Sequence, residues 1–75
     1  MELNEFITVF AEQFDDTDAS EISATCRFHE LDEWSSLMGM ATIAFAKTVY
    51  GKTITGKEIR DCVTVEDLFK LICNK

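Results

Sequence analysis

Seventy-five residues, 47% of them apolar, with no proline and a net charge of −7 describe one small domain. A chain of this length buries only about 60% of its unfolded surface, so there is room for one core and none for separate cofactor and substrate domains. Six Phe, one Trp and one Tyr are too many for a disordered tail. No apolar run approaches the ~18 residues of a membrane-spanning helix, and the acidic opening Glu2-Leu3-Asn4-Glu5 lacks the basic start of a secretory signal, so a cytoplasmic location is expected. Ten of the fourteen acids, but of the seven bases only Arg27, lie in residues 1–35. That balance speaks against nucleic acid and anionic membranes, which recruit Lys and Arg clusters. It suits basic protein partners, and it also serves simple solubility.

Leu3, Phe6, Ile7, Phe10 and Phe14 lie on one stripe of a helix. The spacing predicts a first helix that ends at the turn-forming run Asp15-Asp16-Thr17-Asp18-Ala19-Ser20. From there to Trp34 only Ile22, Phe28 and Leu31 stand out as apolar anchors. A loop that long usually has a functional reason or hides a short helical turn. Asp16, Asp18 and Ser20 alternate like calcium ligands, but Glu21 stands where such a loop needs glycine and Arg27 where it needs a bidentate Glu. The calcium reading fails on both.

A second helix begins near Ser35 or Ser36 and runs to about Tyr50, with Gly51 as its stop. Leu37, Met40, Ala41, Ala44, Phe45 and Thr48 share one face, Met38, Ile43, Ala46 and Val49 occupy the others, and no charge appears before Lys47. A helix apolar nearly all round is central to a core or offers an apolar surface to a partner. Thr55-Gly56-Lys57-Glu58 is a capping box that opens a short third helix. Thr64-Val65-Glu66-Asp67 repeats the device, and Val65, Leu68, Phe69 and Ile72, with Leu71 beside them, give the last helix its stripe. Thr53-Ile54 is locally β-prone, but no strand pair is legible. The predicted fold is all-α, with three main helices, one short third helix and a long first loop.

Cys26, Cys62 and Cys73 are an odd number, widely spaced, with no CxxC pair. They form neither a disulfide framework nor a zinc site, and are expected as buried or half-buried thiols in a reducing compartment. A nucleophilic role would need a base, and His29 is the one histidine.

The most specific stretch is Leu31-Asp32-Glu33-Trp34-Ser35-Ser36-Leu37-Met38. Its serines fall at a helix N-terminus, where free backbone N–H groups and the helix dipole favour an attached phosphate. Ser is equally a preferred N-cap there. Leu37 is expected to anchor the helix inward.

With these elements in this order, essentially residues 3–72 resemble the acyl carrier and peptidyl carrier proteins, the phosphopantetheine-attachment family. Its members are small acidic four-helix domains whose attachment motif, Asp-Ser-Leu, opens the second helix. Ser35-Ser36-Leu37 occupies that place, so Ser36 matches the attachment serine. Tyr50-Gly51-Lys52-Thr53-Ile54 and Cys62-Val63-Thr64-Val65-Glu66-Asp67-Leu68 resemble the stretches after the second helix and into the last.

The resemblance implies that a phosphopantetheinyl transferase, with coenzyme A and a divalent metal, places 4′-phosphopantetheine on the Ser36 hydroxyl. The arm's thiol would hold an acyl or aminoacyl group as a thioester and deliver it to loading, condensing or transfer enzymes, gaining effective concentration by tethering. The carrier itself would be a monomer, not an enzyme and not inserted in a membrane. No serine-elbow or glycine-rich phosphate loop is present.

Two features depart from the family. Ser35 replaces the acid before the attachment serine, although Asp32 and Glu33 are near enough to supply negative charge. The second helix lacks the acidic outer face, with no acid between Glu33 and Glu58. Met38 and Met40 either fill the core or face partners, and Trp34 either packs under the first loop or joins the partner surface. A specialised fatty acid, polyketide or nonribosomal-type pathway fits these departures better than housekeeping synthesis. The alternatives are an unmodified helical interaction module of carrier-like fold and a small hydrolase built on Ser36 and His29.

Overall fold

A computed structural model describes residues 2–75. Among them are four α-helices, α1 (Leu3–Ala11), α2 (Ser36–Tyr50), α3 (Gly56–Asp61) and α4 (Val65–Cys73), and no strand. Two 3₁₀ turns, Ala19–Glu21 and Phe28–Glu30, lie in the long first loop. Helix α1 packs against α4, and α2 against α3. No helix among the described residues is long and apolar enough to cross a membrane.

The α1 stripe builds the core. Phe6 and Phe10 are fully buried, and the Phe6 ring meets Phe10 at 5.7 Å, Phe45 at 5.8 Å, Tyr50 at 6.0 Å and Phe69 at 5.5 Å. One side chain therefore joins α1, α2 and α4 through offset and tilted ring pairs, which add to area burial. Phe28, Val65, Leu68 and Ile72 are fully buried as well.

Helix α1 is shorter than its stripe predicts. Beyond Ala11 the chain tightens, with the Gln13 amide bonding the Phe10 carbonyl at 3.0 Å and the Phe14 amide the Ala11 carbonyl at 3.1 Å. This i→i−3 winding ends the helix yet keeps Phe14 buried, so the apolar spacing outlasts the α-helix that it marks.

The loop is held by backbone bonds and caps. The Val65 and Glu66 amides, in the first turn of α4, bond the Cys26 and Ala24 carbonyls at 3.0 and 2.9 Å. Donors that a helix start leaves open thus fasten the loop. Thr64 caps the same helix, while Asp67 accepts the Val63 and Thr64 amides at 3.1 Å each. Thr55 and Glu58 form the reciprocal box of α3. Asp18, a failed calcium candidate, instead caps the first 3₁₀ turn through the Ser20 amide at 2.9 Å.

Helix α2 spans its predicted range and stops at Gly51, whose φ of 66° is left-handed. That conformation carries no Cβ penalty at glycine. Its buried face takes one residue from each of the two apolar groupings and adds Thr42. Thr42, Phe45 and Ala46 point inward, with the Thr42 hydroxyl donating to the Met38 carbonyl at 2.8 Å, whereas Ala44, Thr48 and Val49 are exposed. Leu37 does not anchor inward: it is 75% exposed. A helix with apolar groups on every side has no periodic phase to show which side faces the core.

Candidate functional site

Ser35 and Ser36 have different roles. Ser35 is the N-cap of α2, with extended backbone and a side-chain oxygen that accepts the Met38 amide at 3.4 Å. Ser36 is the first helical residue and is exposed. Its hydroxyl makes no hydrogen bond among the described residues. Capping therefore falls to Ser35, and the Ser36 oxygen is left for other chemistry at the positive end of a fifteen-residue helix.

Trp34 precedes the cap and packs under the first loop. Its ring lies 4.8 Å from Phe28, edge-on, and 6.4 Å from Phe14. A Cβ built on Gly39 would sit 3.9 Å from the Trp34 ring, so the indole rests over the first turn of α2 in the manner of a hydrophobic staple. The two methionines divide: Met38 is half-buried against the core, while Met40 is 67% exposed.

An open cleft of about 470 Å³ lies between α2 and α3 and reaches both serines. Trp34, Met40, Ile43 and Ile59 give it apolar walls, and Arg60 and His29 border it. No carboxylate lines it. The Arg60 side chain makes no ion pair or hydrogen bond among the described residues.

His29 faces another task than catalysis. Its Nε2 lies 3.1 Å from the Ile59 carbonyl, and a carbonyl only accepts, so Nε2 carries the proton and donates. The ring thereby caps a C-terminal carbonyl of α3 from the loop. No hydrogen bond joins it to Ser36 among the described residues.

The cysteines form no disulfide. Cys62 is buried, and its thiol is pushed up to about 11 by burial and by the charges of Asp67, Asp61 and Glu58. Burial likewise raises the half-buried Cys26. Neither is a poised nucleophile. Cys73 departs from the buried or half-buried expectation and is exposed.

Sequence reasoning missed the partner of Glu33. Its carboxylate accepts the Asp15 amide at 2.8 Å, the Asp16 amide at 3.0 Å and the Thr17 hydroxyl at 2.8 Å. Burial raises Glu33, but these donors outweigh it and hold the carboxyl below its ordinary range. The acids before Ser36 thus include one that is structural. Compared with known proteins, the chain matches no family model, no curated protein and no solved structure.

Proposed function

We propose that this chain is an acyl carrier protein that bears 4′-phosphopantetheine on Ser36. The observation that carries the reading is an exposed serine hydroxyl, released from capping by Ser35, at the start of α2 and at the edge of an apolar cleft. A phosphodiester there would be favoured by the free amides and positive dipole end of α2. When attached, the arm supplies a thiol that holds an acyl or aminoacyl group as a thioester.

The chain's own part is to present one oxygen on a rigid helix. In the modification, the Ser36 Oγ–P bond forms and the P–O bond of the coenzyme A pyrophosphate breaks. The nucleotide portion leaves, and the hydroxyl proton passes to the transferase. No base is required of the carrier, in keeping with a Ser36 that has no histidine partner. Partners are the transferase and the loading, condensing or transfer enzymes of a specialised fatty acid, polyketide or nonribosomal-type pathway. Each acts on a small non-enzymatic carrier in the cytoplasm.

An unmodified helical interaction module is the second reading, favoured by Leu37 and Met40, exposed together on the first turns of α2. Incubation with coenzyme A, magnesium and a broad-specificity phosphopantetheinyl transferase, followed by intact mass, separates the two. A gain of one phosphopantetheine supports the carrier. No gain with several transferases, including one from the source organism, leaves the interaction module.

A further inference from the structure

The geometry points to Glu33 as the positioning residue for Ser36: by binding residues 15–17 it fixes the turn on which the attachment serine is presented. This inference rests on the carrier reading.

Residues 31–34 form a tight turn, closed by the Trp34 amide on the Leu31 carbonyl at 3.0 Å. Two successive side chains of that turn fasten it, one by hydrogen bonds and one by ring packing. Glu33 reaches the chain leaving α1, with Oε2 taking the Asp15 amide and Oε1 taking the Asp16 amide and the Thr17 hydroxyl. Trp34 packs on Phe14 and Phe28. The cap and Ser36 follow directly, and the side-chain bond of Ser35 stays within its own helix. Glu33 thus ties the serine's turn to residues 15–17 through its side chain.

Three donors on one ionised carboxylate make a strong, directional tie. It holds although Asp16, Glu21 and Asp32 line the same depression, where like charges repel. Asp32, the adjacent acid, is exposed and accepts no hydrogen bond among the described residues. Glu33 and Asp32 therefore separate position from charge: each removes one negative charge on amidation, but only Glu33 holds the turn. Glutamine at position 33 offers one acceptor oxygen to three donors and brings an N–H₂ among them.

The test uses the full chain with coenzyme A, magnesium and a transferase that modifies it. Steady-state kinetics of Glu33→Gln, Thr17→Val and Asp32→Asn are compared with wild type, with amide exchange recorded on each unmodified protein. Glu33→Gln is expected to slow modification about tenfold, through misplacement of the reacting hydroxyl. The loss falls on kcat with little change in KM for the carrier. Protection disappears at Asp15 and Asp16 but persists in α4. Thr17→Val, which removes one donor, gives a smaller loss in the same direction, and Asp32→Asn, which removes charge but no tie, loses less than Glu33→Gln and keeps the protection at Asp15 and Asp16.

Equal rates for wild type and Glu33→Gln overturn the inference alone. So does an Asp32→Asn loss as large as that of Glu33→Gln, which would make the effect one of charge. If Glu33→Gln does not fold, Thr17→Val decides: a slower rate supports the positioning role, and a wild-type rate overturns it. Wild-type protein that accepts no phosphopantetheine from any transferase overturns the carrier reading, and this inference with it.

Discussion

The Ser35 side-chain oxygen accepts the Met38 amide at 3.4 Å, and this bond assigns different work to two adjacent serines. Ser35→Ala is expected to destabilise the fold by about 1 kcal/mol, the usual loss for an N-cap. Ser36→Ala should leave stability within about 0.5 kcal/mol of wild type, as for an exposed site without partners. Ser35→Asp restores an oxygen cap and adds charge at the helix start, for a gain of about 0.3–1 kcal/mol over Ser35→Ala. Urea unfolding of the three variants checks the order.

Acid should loosen the first loop and the helix starts together. Glu33 and Asp67 lie below their ordinary values of 4.5 and 3.8. Glu33 is held there against burial by the Thr17 hydroxyl and the Asp15 and Asp16 amides, and Asp67 by the Thr64 and Val63 amides. Asp18, bonded by Ser20, and Glu58, bonded by Lys75, are lowered as well. A depressed carboxylate adds stability that is complete above its unfolded value and lost as pH falls through its folded one. The urea midpoint is therefore expected to be flat above pH 4.5 as far as these groups contribute, and to fall below it. Glu33→Gln should reduce the slope of that fall. A midpoint that rises on acidification contradicts the assignment.

Phe6 is the ring through which α1, α2 and α4 meet. Phe6→Ala removes a fully buried side chain and is expected to cost about 3–5 kcal/mol. Total stabilities of small domains run to about 5–15 kcal/mol, so the variant should lose a large share of its stability and unfold at a much lower urea concentration, read by near-UV dichroism. An unchanged urea midpoint would show that the core collapses around the gap.

Thiol reactivity should follow burial. Iodoacetamide at neutral pH is expected to label the exposed Cys73 first, then the half-buried Cys26. The buried Cys62, whose thiol is raised to about 11, should react only on unfolding. Peptide mass after timed quenching gives the order, and early labelling of Cys62 would contradict the packing around α3.

What the sequence disclosed, and what it hid, follows from the range of the interactions. Gly51 and the two Thr-led boxes read directly because caps are local and type-specific. The poor pattern between residues 15 and 34 did contain short helical turns, at Ala19–Glu21 and Phe28–Glu30. The direction of Leu37 is not legible because α2 has apolar groups on every side, and tertiary packing selects Thr42, Phe45 and Ala46. The carboxylate of Glu33 looked like loop charge because its donors lie sixteen to eighteen residues earlier, and no local periodicity records such a bond. Both serines stood in the motif, but only the helix start at Ser36 shows which of them caps.

The central claim, that Ser36 is the attachment residue, is tested most directly by modifying wild type, Ser35→Ala and Ser36→Ala in parallel with coenzyme A, magnesium and transferase. Tandem mass spectrometry of the peptide spanning residues 31–47 then locates the added group. The account predicts one phosphopantetheine on Ser36 in wild type and in Ser35→Ala, and none in Ser36→Ala. An added group on Ser35, or a mass gain that survives Ser36→Ala, would contradict it.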